Sequence, residues 1–216
     1  MVTRIISLII GYGFGLFQTA YFIGKIKHID IREKGSGNAG TTNAMRTLGW
    51  KAGVATLIGD LMKAIVAVVV VRLIYGHIMG RVTSVLCMYA GLGVVLGHNY
   101  PFYLKFKGGK GIAATGGVIL STANIWMIII CFIEFIGVNL LTRYVSVASL
   151  GLVITYLIEV IIVGETGGFN VPVSGRIEIY LIAIFFAILA FWQHRANIAR
   201  LIKGTENKLT FGKKKE

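Results

Sequence analysis

A glycine-rich segment near the amino terminus, residues 35–49, reads GSGNAGTTNAMRTLG and carries several groups that bind anions. Its glycines leave backbone N–H groups approachable, and Arg46 adds a planar guanidinium that suits phosphate or carboxylate. An ordinary turn followed by a helix cap uses the same residue types, so the segment alone leaves both interpretations open. Its short side chains able to form hydrogen bonds are Ser36, Asn38, Thr41, Thr42 and Asn43.

A second candidate segment, residues 96–117, reads LGHNYPFYLKFKGGKGIAATGG. It is not a P-loop nucleotide-binding motif, because Leu104 stands where that motif needs Gly and Gly111 where it needs Ser or Thr. Glycines that lead into a helix still expose N–H groups at its positive end, where lysines also attract an anion. The alternative is a basic loop that meets lipid headgroups. The candidate phosphate-binding residues are Lys107, Gly108, Gly109, Lys110 and Gly111.

The third candidate segment, residues 194–208, reads HRANIARLIKGTENK and follows the last apolar run. His194 and Asn197 are three residues apart, so they share a face of a continuing helix. Such a pair can orient or polarise a hydroxyl group. A histidine at a membrane interface also occurs for structural reasons, and Arg195 and Arg200 suit side chains that reach the headgroup layer.

These polar segments lie between stretches of membrane composition. Of 216 residues, 56% are hydrophobic and 14% are charged, with a mean hydropathy of +0.77, whereas soluble domains carry about 25% charged residues. The net charge of +13 does not indicate nucleic-acid binding, because the cations cluster between apolar runs. Cys87 and Cys131 lie in apolar runs and indicate neither disulfides nor a metal motif. The sequence predicts an all-α polytopic membrane protein with a single domain over residues 1–216.

Charge placement predicts seven transmembrane helices, with the amino terminus outside and the carboxyl terminus in the cytoplasm. Segment 25–51 holds six Lys/Arg, 98–110 holds three and 194–216 holds seven, and the positive-inside rule places all three in the cytoplasm. The chain between the last two must then cross an even number of times, so the apolar stretch 111–141 is split near 121–124. Its first piece is too short to span upright and is expected to begin within the membrane. The other predicted spans are 5–24, 52–74, 82–97, 145–164 and 177–193.

Ionisable residues inside the predicted spans are candidates for function, because burying them in a membrane is costly. Asp60 and Lys63 are three residues apart and could pair, for a structural or a functional purpose. Glu134 and Glu159 have no obvious local partner, and no role is assigned to either. The terminal lysines at 213–215 are interpreted as a solvated or lipid-facing charge run.

The three motifs occur in the order and spacing of the bacterial acyl-phosphate:glycerol-3-phosphate acyltransferases, the PlsY family, which the chain resembles over nearly its whole length. A further family-like segment contains Arg143, Ser146 and Ser149. The matching motif residues are Ser36-Gly37-Asn38, Thr41, Asn43, Arg46, Gly97-His98-Asn99-Tyr100-Pro101, the run 106–111, His194-Arg195, Asn197 and Gly204-Thr205-Glu206.

The resemblance implies transfer of a fatty acyl group from acyl phosphate to the sn-1 hydroxyl of glycerol 3-phosphate, giving lysophosphatidic acid and phosphate. It implies a bacterial cell membrane protein with its site at the cytoplasmic face. It implies no cofactor, no metal and no obligate protein partner. The base is left open between a substrate phosphate and His194. The implied catalytic residues are His194, Asn197 and Ser36; the implied phosphate ligands are Asn38, Thr41, Asn43, Arg46, Lys107, Gly108, Gly109, Lys110 and Gly111; further candidates are Arg143, Ser146, Ser149 and Glu206.

The chain departs from the family pattern in its first span, where 15–18 reads Gly-Leu-Phe-Gln and the family usually has Gly-Ser-x-Pro. Loss of the proline is expected to remove a kink there. An alternative function is a transporter or channel for an anionic phosphorylated metabolite, which would also use a cationic mouth and broken helices. Against it, the cations lie on one side and the two halves show no inverted repeat.

Overall fold

The structure, a computed structural model, describes residues 1–209, and all regular structure in that range is helical. The all-α prediction is confirmed, and the lysines at 213–215 lie outside the described residues. Short loops and 3₁₀ turns connect the helices. In chain order the α-helices are α1 (Val2–Gly15), α2 (Thr19–Ile26), α3 (Thr41–Leu48), α4 (Trp50–Met79), α5 (Thr83–Asn99), α6 (Ile112–Thr122), α7 (Ile125–Thr142), α8 (Val145–Glu165), α9 (Val173–Gln193) and α10 (Arg195–Ile202).

Five segments of the described chain are long and apolar enough to cross a membrane. One of them contains both α4 and α5, which fold back on each other at Gly80, with the Thr83 hydroxyl donating to the Tyr75 carbonyl at 3.2 Å. Helix α6 is apolar but has 11 residues, about 17 Å at 1.5 Å per residue. The polytopic character agrees with the sequence, and the count of seven crossings stays a prediction. The five segments are Val2–Ile26, Trp50–Leu104, Ile125–Thr142, Val145–Glu165 and Val173–Gln193.

The apolar stretch after the second polar segment divides into α6 and α7 where the sequence predicted. Helix α6 ends at Thr122 and α7 begins at Ile125. The Asn124 side chain accepts a hydrogen bond from the Met127 N–H at 3.1 Å, which caps the new helix. An N-terminal cap of this kind satisfies a backbone donor that the helix itself cannot.

The first predicted span is broken between α1 and α2, so the expectation of an unkinked helix is wrong. Two polar side chains form hydrogen bonds at this break, which has no proline. The Lys63 ammonium donates to the Phe17 carbonyl at 2.8 Å. The buried Gln18 amide donates to the His98 carbonyl at 3.0 Å and so ties the break to the end of α5.

Helices α1 and α5 run parallel and approach each other through glycines spaced four residues apart. A Cβ atom added at any of these four glycines would overlap the backbone of the facing helix. Small residues at this spacing let membrane helices pack backbone against backbone. The contact sets the carboxyl ends of α1 and α5 side by side, which brings the helix break next to the loop that follows α5. The glycines are Gly11, Gly15, Gly93 and Gly97.

The polar residues predicted inside the spans form two separate groups. Asp60 and Lys63 pair within α4, with 2.9 Å between carboxylate oxygen and ammonium nitrogen. Between α7 and α8, the Cys131 thiol donates to the Glu159 carboxylate at 3.1 Å. The Glu134 carboxylate lies against Gly151 of α8. The second group therefore links two helices away from the glycine-rich loops.

Candidate active site

The segments from the middle and the end of the chain meet at Lys110, which lies in the loop between α5 and α6. Its ammonium donates a hydrogen bond to the side-chain oxygen of Asn197 on α10. The Asn197 amide in turn donates to the Glu206 carboxylate at 2.6 Å. These two hydrogen bonds, from Lys110 to Asn197 and from Asn197 to Glu206, join the second and third polar segments. The segments lie almost one hundred positions apart in sequence.

Lys110 lies in a region of excess positive charge. Burial, together with the nearby positive charges of Arg200 and Arg46, lowers its pKa from 10.5 to about 8, although Glu206 acts in the opposite direction. Arg46 comes from the first polar segment, so all three segments contribute to the electrostatics at this point. Three cations around one carboxylate favour binding of an anion.

Glu206 organises the third segment by accepting hydrogen bonds from three side chains. Besides Asn197, the Arg200 guanidinium donates at 2.7 Å and the Ser146 hydroxyl at 3.2 Å. Burial by itself would raise the pKa of Glu206, but the hydrogen bonds from Asn197 and Arg200 outweigh it and the pKa is lowered. Glu206 is therefore a fixed carboxylate that ties α8 and α10 together at the site.

His194, at the junction of α9 and α10, is buried and neutral at physiological pH. Burial, and after it the charge of Lys110, lowers its pKa to about 4. Its Nδ1 atom lies 2.7 Å from the Ala190 carbonyl oxygen, so Nδ1 carries the proton. The Nε2 atom therefore presents a lone pair, which can accept a hydrogen bond from a hydroxyl group.

The first polar segment is shaped by Asn43, whose amide is fully engaged. Its nitrogen donates to the carbonyls of Ile31 at 3.1 Å and Lys34 at 3.0 Å, and its oxygen accepts from the Ser36 N–H at 2.9 Å. Both Ser36 and Arg46 have exposed side chains. The segment is consequently a rigid loop, held by Asn43, that presents a hydroxyl and a guanidinium to solvent.

Two other polar residues of this first segment lie in partly buried positions. Asn38 packs against Gly40, where an added Cβ would meet its amide nitrogen. The Thr41 hydroxyl oxygen is enclosed and has no hydrogen-bond partner among residues 1–209. Thr41 begins α3, whose first N–H groups have no acceptor within the helix. The Thr41 hydroxyl therefore forms no hydrogen bond with Lys110.

In the loop at residues 107–111, called the glycine loop, two backbone N–H groups bind within the protein and not as the sequence predicted. The Gly108 N–H donates to the Asn99 carbonyl at 3.1 Å, and the Gly109 N–H donates to the His98 carbonyl at 3.0 Å. These bonds cap the end of α5, so the two amides are not free to hold a phosphate as the sequence predicted. Glycine is needed there because a Cβ on Gly109 would overlap the His98 ring.

Free backbone donors lie instead at the start of α6, directly after Lys110. Gly111 precedes the helix with φ of 82°, which favours glycine. The N–H groups of the first helical turn, from Ile112 to Ala114, have no acceptor within the helix, and none elsewhere among the described residues. A helix N-terminus beside a lysine is an anion-binding arrangement.

Several predicted site residues are not brought to this group. Lys107 is exposed. Ser149 donates its hydroxyl to the Val145 carbonyl at 2.7 Å within α8. The exposed Arg143 ends α7 and contributes its backbone carbonyl, which accepts from the Leu209 N–H at 2.7 Å. Through this backbone bond, Arg143 holds the chain after Glu206.

Sequence reasoning gave Arg200 only a headgroup-anchoring role, yet it contacts Glu206 directly. A signal was present, because Arg200 lies three positions after Asn197 and continues the helix face of His194 and Asn197. The Arg195 guanidinium lies 5.0 Å from the centre of the Trp192 ring, and its headgroup-anchoring role stays a prediction.

Comparison with known proteins identifies the family of this chain. A family profile described as glycerol-3-phosphate acyltransferase matches residues 5–204. The glycerol-3-phosphate acyltransferase of Halalkalibacterium halodurans is 42% identical over 211 residues, covering 97% of this chain and 96% of that protein. That of Chlorobium phaeobacteroides is 38% identical over 238 residues, covering 99% of each.

Solved structures of an integral membrane glycerol 3-phosphate acyltransferase, PlsY (YgiH), are also similar. The glycerol 3-phosphate form has a TM-score of 0.82 and 32% identity and covers 96% of each chain. The lysophosphatidic acid form has a TM-score of 0.80 and 31% identity, covering 96% of this chain and 95% of that one. With a family match along nearly its whole length and the same fold as PlsY, this chain belongs to the glycerol-3-phosphate acyltransferase family.

Proposed function

We propose that this membrane protein transfers a fatty acyl group from acyl phosphate to the sn-1 hydroxyl of glycerol 3-phosphate. The products are lysophosphatidic acid and inorganic phosphate. The observation that carries the proposal is the cationic group centred on Lys110 beside the free N–H groups of α6, at the end of an apolar helix bundle. A donor that is both lipid-like and phosphorylated fits that position.

The donor phosphate is assigned to Lys110 and the first turn of α6. Lys110 is partly buried, and α6 leads from it into the apolar part of the bundle. An acyl chain can therefore extend along apolar helices while its phosphate meets the helix N-terminus. Charge-assisted contacts of this kind are the strong ones in phosphate recognition.

The acceptor phosphate is assigned to the first polar segment, where the Ser36 and Arg46 side chains are exposed to water. Glycerol 3-phosphate is soluble, so it reaches an exposed guanidinium without entering the membrane. Asn43 contributes by holding the loop, whereas Asn38 and Thr41 would contact substrate only from the edge of the loop. The two phosphates are thus assigned to different polar segments of the chain.

The chemistry needs little more than positioning and charge. The sn-1 hydroxyl oxygen attacks the acyl carbonyl carbon, the bond from that carbon to the phosphate oxygen breaks, and phosphate leaves with the electron pair. Acyl phosphate is an activated anhydride, so alignment of the two substrates and stabilisation of the developing charge supply most of the acceleration. Lys110 stabilises that charge, and Asn197 with Glu206 holds Lys110 in place.

The hydroxyl proton is assigned to a substrate phosphate, with His194 orienting the hydroxyl. His194 accepts a hydrogen bond at Nε2, but with its pKa lowered to about 4 it is a weak base near neutral pH. A phosphate group has a second pKa of about 6, so it is the stronger base. The lower pKa of His194 supports the phosphate as the base in this proposal.

Formation of the product by purified protein tests the proposal directly. Detergent-purified protein supplied with palmitoyl phosphate and glycerol 3-phosphate is expected to release phosphate and 1-acyl-glycerol 3-phosphate in equal amounts. Separation of the positional isomers at early times decides the position of transfer. Exclusive 2-acyl product would refute the sn-1 assignment, and no acylated product would refute the activity.

Seven crossings with the site in the cytoplasm predict the accessibility of three loop positions. Cysteines introduced at Gly108 and Thr205 are expected to be protected from an impermeant thiol reagent in intact cells, whereas one at Gly167 is expected to react. Both native cysteines are buried, so the unmodified protein gives the background. Reaction at Thr205 without reaction at Gly167 would overturn the orientation.

A further inference from the structure

A buried network between α4 and α5 lies directly beneath the glycine loop. The Lys63 ammonium lies 2.7 Å from the Nδ1 atom of His98, 2.9 Å from the Asp60 carboxylate and 2.8 Å from the Phe17 carbonyl. The Asp60, Lys63 and His98 side chains are at most 4% exposed. Lys63 therefore joins three elements: its own helix, the break between α1 and α2, and the end of α5.

The contact with Lys63 fixes the tautomer of His98. An ammonium group only donates hydrogen bonds, so Nδ1 must accept and the ring proton lies on Nε2. The ring cannot rotate without losing this bond, and the Asp60 carboxylate, 3.6 Å from Nδ1, holds the ammonium in place. His98 is thus a ring locked in one orientation inside the bundle.

His98 contacts Gly109 through both its backbone carbonyl and its ring. Its carbonyl accepts the Gly109 N–H at 3.0 Å, and its ring occupies the position that a Gly109 side chain would need. The same carbonyl accepts from Gln18 at 3.0 Å. Lys110 is the next residue along the chain, so the position of its ammonium depends on where the His98 ring and carbonyl hold the loop.

We propose that Asp60 and Lys63 are positioning residues for acyl transfer, which hold the His98 ring as the support of the glycine loop and thereby place Lys110 against the donor phosphate. The inference rests on the proposed function and adds two residues of α4 to it.

The first test reads the tautomer without any turnover. In a ¹⁵N-histidine spectrum of the purified protein, one of the four rings is expected to be neutral with the proton on Nε2 and a hydrogen-bonded Nδ1. The His98→Asn variant identifies that signal by its absence. In the double variant Asp60→Asn/Lys63→Met, which removes both charges together, the same ring is expected to lose this signature.

The second test is kinetic and separates positioning from folding. For Asp60→Asn/Lys63→Met we expect the KM for acyl phosphate to rise at least tenfold. A smaller folded fraction would lower kcat and leave KM unchanged. The matched control is Glu159→Gln, which alters a buried polar group between α7 and α8 and should keep the KM of the unmodified protein.

Failure of the positioning role and failure of the proposed acyl transfer give different results. Turnover by the unmodified protein with an unchanged KM in the double variant refutes the positioning role alone. Absence of turnover in the unmodified protein refutes the proposed function instead. Where the double variant fails to insert, His98→Asn decides: it keeps an oxygen acceptor toward Lys63 but removes the ring under Gly109, and an unchanged KM there also refutes the inference.

Discussion

Replacing Lys110 with methionine is expected to lower kcat/KM for acyl phosphate by roughly tenfold to a hundredfold while the protein still inserts. Methionine keeps the length of the side chain and removes its charge. One charge-assisted contact is worth about 1.5–3 kcal/mol, and about 1.4 kcal/mol corresponds to a factor of ten. Steady-state release of phosphate by purified variants measures the effect.

The pH profile ties this loss to the charge of Lys110. In the unmodified protein kcat/KM is expected to fall as pH rises through about 8, because the ammonium, with its pKa lowered to about 8, becomes neutral above that pH. Arginine stays charged beyond about pH 12, so Lys110→Arg should move the fall to higher pH even where its rate is reduced.

An exposed lysine in the same loop provides the control for both measurements. Lys105→Met removes one positive charge from the loop at an exposed side chain, and it should keep the kinetics of the unmodified protein. An equal loss in Lys105→Met and Lys110→Met would make the effect one of general surface charge. If kcat/KM of Lys110→Arg still fell at the same pH as in the unmodified protein, the fall would not arise from titration of Lys110.

Much of the fold follows from hydropathy and charge, because a membrane segment must be apolar over a minimum length. The break at Ser121 to Asn124 followed from parity, and the structure places it there. The break after Gly15 was missed, because it depends on Gln18 and Lys63, which lie 45 residues apart in sequence and meet only after folding. No local pattern announces such a contact.

In the site, too, sequence patterns identified candidate residues but not the contacts that form only on folding. Residue type and spacing pointed to Lys110, His194 and Asn197, which the fold brings together. The pattern could not tell that the Gly108 and Gly109 amides cap α5, since a glycine chosen for a free N–H and one chosen for close approach look identical in a sequence.

Both the similar proteins and the distribution of charge argue against the transporter alternative. Relatives named for acyl transfer match the chain along almost its whole length, and the cations gather around a single carboxylate at one end of the bundle.

The central claim concerns the donor, and one comparison tests it most directly. A thioester lacks the phosphate leaving group that Lys110 and the first turn of α6 would stabilise, and its sulfur is a poor partner for an ammonium. Purified protein freed of bound donor is supplied with glycerol 3-phosphate and, in turn, with palmitoyl phosphate, palmitoyl-CoA and palmitoyl acyl carrier protein. We predict turnover with palmitoyl phosphate alone. Turnover with palmitoyl-CoA as fast as with palmitoyl phosphate would contradict the assignment.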